Sequence, residues 1–82
     1  MRQKPQEAIE LLKLNVEAYP NSVLAVNNLG NAYRDLKQRE PAIQCFEKSL
    51  KLLPIATGMS AQERTQSAEN LRKKIEQLRK RR

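Results

Sequence analysis

With 82 residues and a net charge of +7, the chain has room for one small domain with a basic surplus. It carries no histidine, one cysteine and two glycines. That excludes the usual zinc sites, a histidine-based nucleophile or acid–base pair, and a glycine-rich phosphate loop. Neither an enzyme nor a cofactor or metal site is expected. Mean hydropathy is −0.76, and no apolar run approaches the ~18 residues of a membrane span. Met1-Arg2-Gln3-Lys4-Pro5 lacks an apolar signal core, so a cytoplasmic setting is the expectation.

The first helix is predicted from Pro5 to Ala18, with Pro5 near its first position, where a missing N–H costs nothing. Ile9, Leu12 and Val16 recur at helical spacing, with Ala8 and Leu11 beside them. Tyr19-Pro20 stops it, because a residue before proline is pushed out of the helical region. Asn21-Ser22 then offers capping oxygens to a second helix, about Ser22 to Lys37. Its inward stripe is Val26, Leu29, Gly30 and Tyr33, at i, i+3, i+4 and i+7. Glycine mid-helix costs roughly 1 kcal/mol relative to alanine, so close approach of another helix is the expected compensation.

Lys37-Gln38-Arg39-Glu40 makes a polar turn, and Pro41 is expected to open the third helix. Ala42, Phe46, Ser49 and Leu50 give it one face, with Ile43 and Leu53 adjoining and Pro54 as the stop. Small Ala42 opposite small Gly30 suits a tight antiparallel hairpin. Cys45, inside this pattern, is expected to be a packed small residue and not a reactive thiol. After a connector with Gly58 as its turn, Ser60-Ala61-Gln62-Glu63 reads as a capping box for a last helix reaching about Lys80. Ala61, Ala68, Leu71, Ile75 and Leu78 form its thin apolar stripe. As a parallel coiled coil that stripe would bring Arg72, Lys74, Arg79 and Arg81 of two copies together, so packing back on the Ala42–Leu53 helix is expected.

Pro20 and Pro54 stand 34 residues apart, and Ala8 and Leu12 precede Ala42 and Phe46 by the same interval. An internal period of this length marks stacked helix pairs. Leu29, Gly30, Tyr33, Ala42, Phe46 and Pro54 fall in an order and spacing that resembles the tetratricopeptide repeat (TPR) family. Two positions depart from it. Val26 is small for the family's large first position, and Lys37 stands where a turn glycine is common. The resemblance implies an all-α fold of antiparallel helical hairpins stacked as a short α-solenoid of about four helices. It divides the chain into the second half of one repeat (5–22), a complete repeat (23–56) and a capping helix (60–80) with a basic tail to 82. The half-repeat would leave an apolar face open, so self-association into a homo-oligomer is a further expectation.

The resemblance also implies a protein–protein interaction scaffold that binds a peptide or partner helix. The groove-facing positions of the complete repeat would be Leu24, Asn27, Asn31, Arg34 and Asp35. Asparagines both donate and accept, which suits the unpaired backbone of an extended peptide. Arg34 suits a carboxylate, and Asp35 is expected to select against a purely acidic ligand. Some TPR proteins grip acidic chaperone tails across three repeats; with one complete repeat, and Asn27 where a lysine is often found, that clamp is not expected here.

From Ser60 to Arg82 there are eight basic residues against three acidic ones, a net of +5. Arg72, Lys73, Lys74, Arg79, Lys80, Arg81 and Arg82 form the candidate basic patch. The plain reading is a solubilising outer face. The alternatives are electrostatic binding of nucleic acid or an anionic membrane surface, or a nuclear import signal in a eukaryotic source. The absence of stacking aromatics and large apolar anchors weakens the first two.

Overall fold

The computed structural model describes residues 5–80, and these form four α-helices and one short 3-10 turn. Helix α1 spans Pro5–Ala18, α2 Val23–Asp35, α3 Arg39–Leu52 and α4 Ala61–Lys80, with the 3-10 turn at Leu53–Ile55. The fold is all-α, a short solenoid of antiparallel hairpins, as the family resemblance implies. Helix α1 packs on α2, α2 on α3, and α3 on α4.

The element boundaries follow from local chemistry. Ser22, in extended conformation, accepts from the Ala25 N–H at 3.1 Å and satisfies one of the orphan donors of α2. At the other end of α2, Lys37 adopts a left-handed φ of 63°. The Gln38 N–H then reaches the Tyr33 carbonyl and the Lys37 N–H the Arg34 carbonyl, both at 2.9 Å. This is a Schellman closure, which normally favours glycine. A lysine therefore fills the turn glycine's role in the glycine's own backbone conformation. The capping box at α4 is reciprocal: the Glu63 N–H donates to Ser60 Oγ at 3.1 Å, and the Ser60 N–H to Glu63 Oε1 at 2.8 Å. Gly58 turns the preceding connector at φ 79°.

One boundary differs from the sequence reading. Helix α3 begins at Arg39, so Pro41 is its third residue and not its opener. Proline is tolerated there because the first four helical N–H groups have no intrahelical acceptor in any case. Pro54 ends α3 as expected, but through the 3-10 turn that contains it.

The core runs from α3 through the 3-10 turn into α4. Ala42, Ile43, Phe46, Leu53, Leu71, Ile75 and Leu78 form one buried cluster. The α4 stripe thus packs back on α3, though its first member, Ala61, is exposed. Each fully buried Leu, Ile or Phe is worth about 1.5–3 kcal/mol in apolar transfer. Gly30 meets its neighbour differently from the expected small-on-small contact with Ala42. A Cβ built there would lie 2.7 Å from Phe46 Cε1 and 3.1 Å from Cys45 Cβ. It is the Phe46 ring, wholly buried, that occupies the space a side chain would need. Leu11, expected beside the inward stripe of α1, is instead exposed.

Candidate functional site

The side chains with the most polar chemistry in α2 look toward α4 across a cleft of about 370 Å³. Its walls are Asn27 and Arg34 from α2, and Ser67, Asn70, Leu71, Lys73, Lys74 and Gln77 from α4. Helix periodicity explains the set: on α2, positions 27 and 34 are two turns apart, and on α4, 67, 70, 74 and 77 recur at three and four. Past Arg34 and Lys74 the cleft opens into a second recess of about 450 Å³ that adds Asp35, Lys37 and Arg39.

Lys74 is the bridge between the two helices. Its Nζ donates to Asn31 Oδ1 at 3.2 Å and sits 5.2 Å from the centroid of the Phe46 ring. The aliphatic stem crosses the apolar seam while the ammonium reaches polar partners, the usual compromise of a half-buried lysine. Burial pushes its pKa down, and the Arg34 guanidinium nearby adds to the depression. Arg34 pairs with its own neighbour Asp35 at 3.5 Å, an exposed contact of little energetic weight. Asn27 Oδ1 is shielded from solvent and has no hydrogen-bond partner among the described residues. A shielded amide oxygen without a donor is costly.

The five groove positions expected from sequence are therefore not equivalent. Asn27, Asn31 and Arg34 come together opposite α4, and Asp35 borders the adjoining recess. Leu24 stands apart, 70% exposed near the start of α2. The α4 wall is what sequence reasoning missed: Ser67, Asn70 and Gln77 were absorbed into a charged helix. A usable signal was present, because subtracting the buried Leu71–Ile75–Leu78 stripe leaves Ser67, Asn70, Lys74 and Gln77 along its flank.

The basic patch is divided. Lys74 faces Asn31, Arg79 donates to Glu47 on α3, and Lys80 lies 3.6 Å from Glu76 one turn earlier. Arg64 is also committed, donating to the Ala56 carbonyl at 2.7 Å and holding the connector against α4. Arg72 and Lys73 are exposed, and Arg81 and Arg82 lie outside the described residues.

Cys45 is half-buried on α3, and burial raises its thiol pKa against a smaller opposing pull from Lys48. That suits a packing residue. Among the described residues no group of three metal-ligating side chains occurs, and no helix is long and apolar enough to cross a membrane.

Comparison with known families matches residues 23–54 to the tetratricopeptide repeat. This segment is a TPR. The match starts with the first residue of α2 and ends at the proline of the 3-10 turn, so it covers the hairpin that supplies one wall of the cleft. The TPR's paired Gly30 and Phe46 are the contact that closes this hairpin. Comparison with curated proteins and with solved structures gave no match. The opposite wall, α4, lies outside the matched TPR segment.

Proposed function

We propose that the chain is a non-catalytic protein-interaction module that holds a segment of a partner protein between α2 and α4. A TPR supports the general role of a protein-binding scaffold. The observation that carries the more specific reading is a cleft lined on both sides by amide, hydroxyl and cationic groups, with Asn27 and Arg34 on one wall and Ser67, Asn70, Lys74 and Gln77 on the other. An extended peptide has unpaired backbone N–H and C=O groups, and Asn27, Asn70 and Gln77 can each serve both. Leu24, exposed one turn before Asn27, offers an apolar contact at the end of such a segment.

A peptide selected from a random display library tests this. Asn27→Ala with Asn31→Ala should abolish its binding while the thermal transition is retained. Binding that persists in the double variant would sink the cleft reading. The electrostatic alternative, a basic α4 on nucleic acid or anionic membrane, draws on fewer unpaired charges than the sequence count implies, since Lys74 is hydrogen-bonded to Asn31 and the exposed Arg79 and Lys80 stand beside Glu47 and Glu76. RNA binding that survives physiological salt and is lost when Arg72 and Lys73 are neutralised would favour that alternative instead.

A further inference from the structure

Helix α1 carries two apolar stripes. Ile9, Leu12 and Val16 are the covered one, with Ile9 wholly buried. Leu11, Leu14 and Ala18 recur at three and four residues on the opposite side of the helix, and all three are exposed. The repeat does not require this second stripe, because 34 residues on from Leu14 stands Lys48, in solvent. A single exposed leucine is ordinary, whereas two on one face make a contiguous apolar patch. Glu7 stands within that stripe and Glu10 and Glu17 line one flank, against a single cation, Lys13.

A groove of complementary character runs between α3 and α4, and no residue of α2 lines it. Its two recesses, about 520 and 700 Å³, meet at Glu47 and Arg79. Ile43 and Leu50 from α3, with Ile75 and Leu78 from α4, give it apolar walls. Five cations border it against three carboxylates. Arg79 and Lys80 already stand beside Glu47 and Glu76, but Arg72 and Lys73 are exposed and make no ion pair among the described residues.

We infer that the occupant of this groove is α1 of a second copy of the chain. Leu11 and Leu14 lie against the apolar walls, and Glu10 and Glu17 turn toward Arg72 and Lys73. The mode is that of an amphipathic helix laid in a groove, read by anchors at i and i+3. Charge decides the partner. A surplus of carboxylates on α1 meets a surplus of cations around the groove, and both surfaces belong to the same chain. A symmetric pairing of α1 with α1 is the rival, and the same charges oppose it: with the two helices antiparallel, the Glu10–Glu17 flanks of both copies would meet. The contact therefore joins unlike surfaces, and it uses neither α2 nor the cleft reading above.

Sedimentation equilibrium of the whole chain over a concentration series is the first measurement, and the average mass should rise with concentration. Two variants then break opposite sides of the contact. Leu11→Gln with Leu14→Gln removes the anchors while keeping good helix formers at exposed positions, and should weaken association about a hundredfold. Arg72→Glu with Lys73→Glu spoils the groove's rim and should weaken it about tenfold. Thermal melts followed by circular dichroism check that both variants fold as the wild type does. The deciding experiment mixes them. The anchor variant keeps an intact groove and the rim variant an intact α1, so the mixture should form a 1:1 complex with wild-type affinity although neither variant associates well alone. A mixture no tighter than its components would overturn the inference. So would a rim variant that associates as tightly as the wild type, since α1 would then be meeting α1. A wild-type chain that stays monomeric at about 1 mM would also overturn it, leaving both surfaces to a partner of another kind.

Discussion

Helices α1 and α4 flank the α2–α3 hairpin from opposite sides, and they solve the same problem in opposite ways. Helix α1 packs on α2 with Ile9 wholly buried and Ala8, Leu12 and Val16 half-covered, yet Leu11 and Leu14 are 66% and 59% exposed. Helix α4 is longer, and its large apolar residues, Leu71, Ile75 and Leu78, are all buried against α3. The rest of α4 is charged or polar apart from Ala61 and Ala68. The helix with more leucines therefore contributes less burial per leucine. Apolar content marks what a helix is built to touch, and α1 carries apolar side chains on more of its circumference than α2 covers. Helix α4 carries a single stripe and fills it.

The sharpest way to break this comparison is the same truncation at both ends. Leu71→Ala should cost about 2–5 kcal/mol, as a cavity-forming change in a core does. Leu14→Ala should stay within about 0.5 kcal/mol. Equilibrium denaturation of both variants checks it, and comparable losses at the two sites would end the distinction between a covering helix and an uncovered one. In a domain of this size the first loss is a large share of total stability.

Between the two ends, the Gly30 contact sets how tightly the hairpin closes. Alanine improves helix propensity by roughly 1 kcal/mol, but its Cβ would stand 2.7 Å from the Phe46 ring. The ring is fully buried and also braces Lys74 from α4, so it has little room to yield. Overpacking of this kind costs about 1–3 kcal/mol. Gly30→Ala should therefore lower the thermal midpoint despite the better propensity, and Gly30→Leu should leave the domain unfolded. An unchanged midpoint for Gly30→Leu would remove Gly30 from the helix contact. Phe46→Leu in the Gly30→Ala background should recover part of the loss, a coupling that a double-mutant cycle reads directly.

Most of the fold was legible because its signals are local and periodic. Proline stops, the Ser60–Glu63 box and the inward stripe of α2 each name a boundary or a face without reference to the rest of the chain. The start of α3 was misread because proline suits the first helical position best, while Arg39 and Glu40 carry no competing signal. The partner of Gly30 was misread for a different reason. Small residues at Gly30 and Ala42 indicate close approach, but which side chain crosses the gap depends on the axial offset of two helices, and that is a tertiary quantity. The cleft was half legible. Asn27, Asn31 and Arg34 follow from the repeat, whereas the α4 wall lies outside it and depends on how α4 sits over α3.

Lys37 tests a smaller part of the same logic. A left-handed backbone costs an L-residue about 1–2 kcal/mol, and glycine avoids that cost while losing some chain entropy on folding. Lys37→Gly should raise stability by roughly 0.5–1 kcal/mol, within the range typical of backbone-compatible substitutions. A decrease would mean that the Lys37 side chain does more for the turn than its backbone strain takes away.

The smallest effect expected concerns Lys74, where α4 meets α2, and its value lies in its sign. Desolvation first and Arg34 second lower the Lys74 pKa in the folded protein. Below that folded pKa the group is charged in both states, and the fold bears the full penalty of the buried ammonium. As pH rises through the folded pKa toward the unfolded value near ~10.4, the folded state sheds its proton first. Wild-type stability should therefore gain relative to Lys74→Met across that window, with the difference in thermal midpoint rising with pH. A difference that falls with pH in the free protein would mean that the Asn31 contact already outweighs burial.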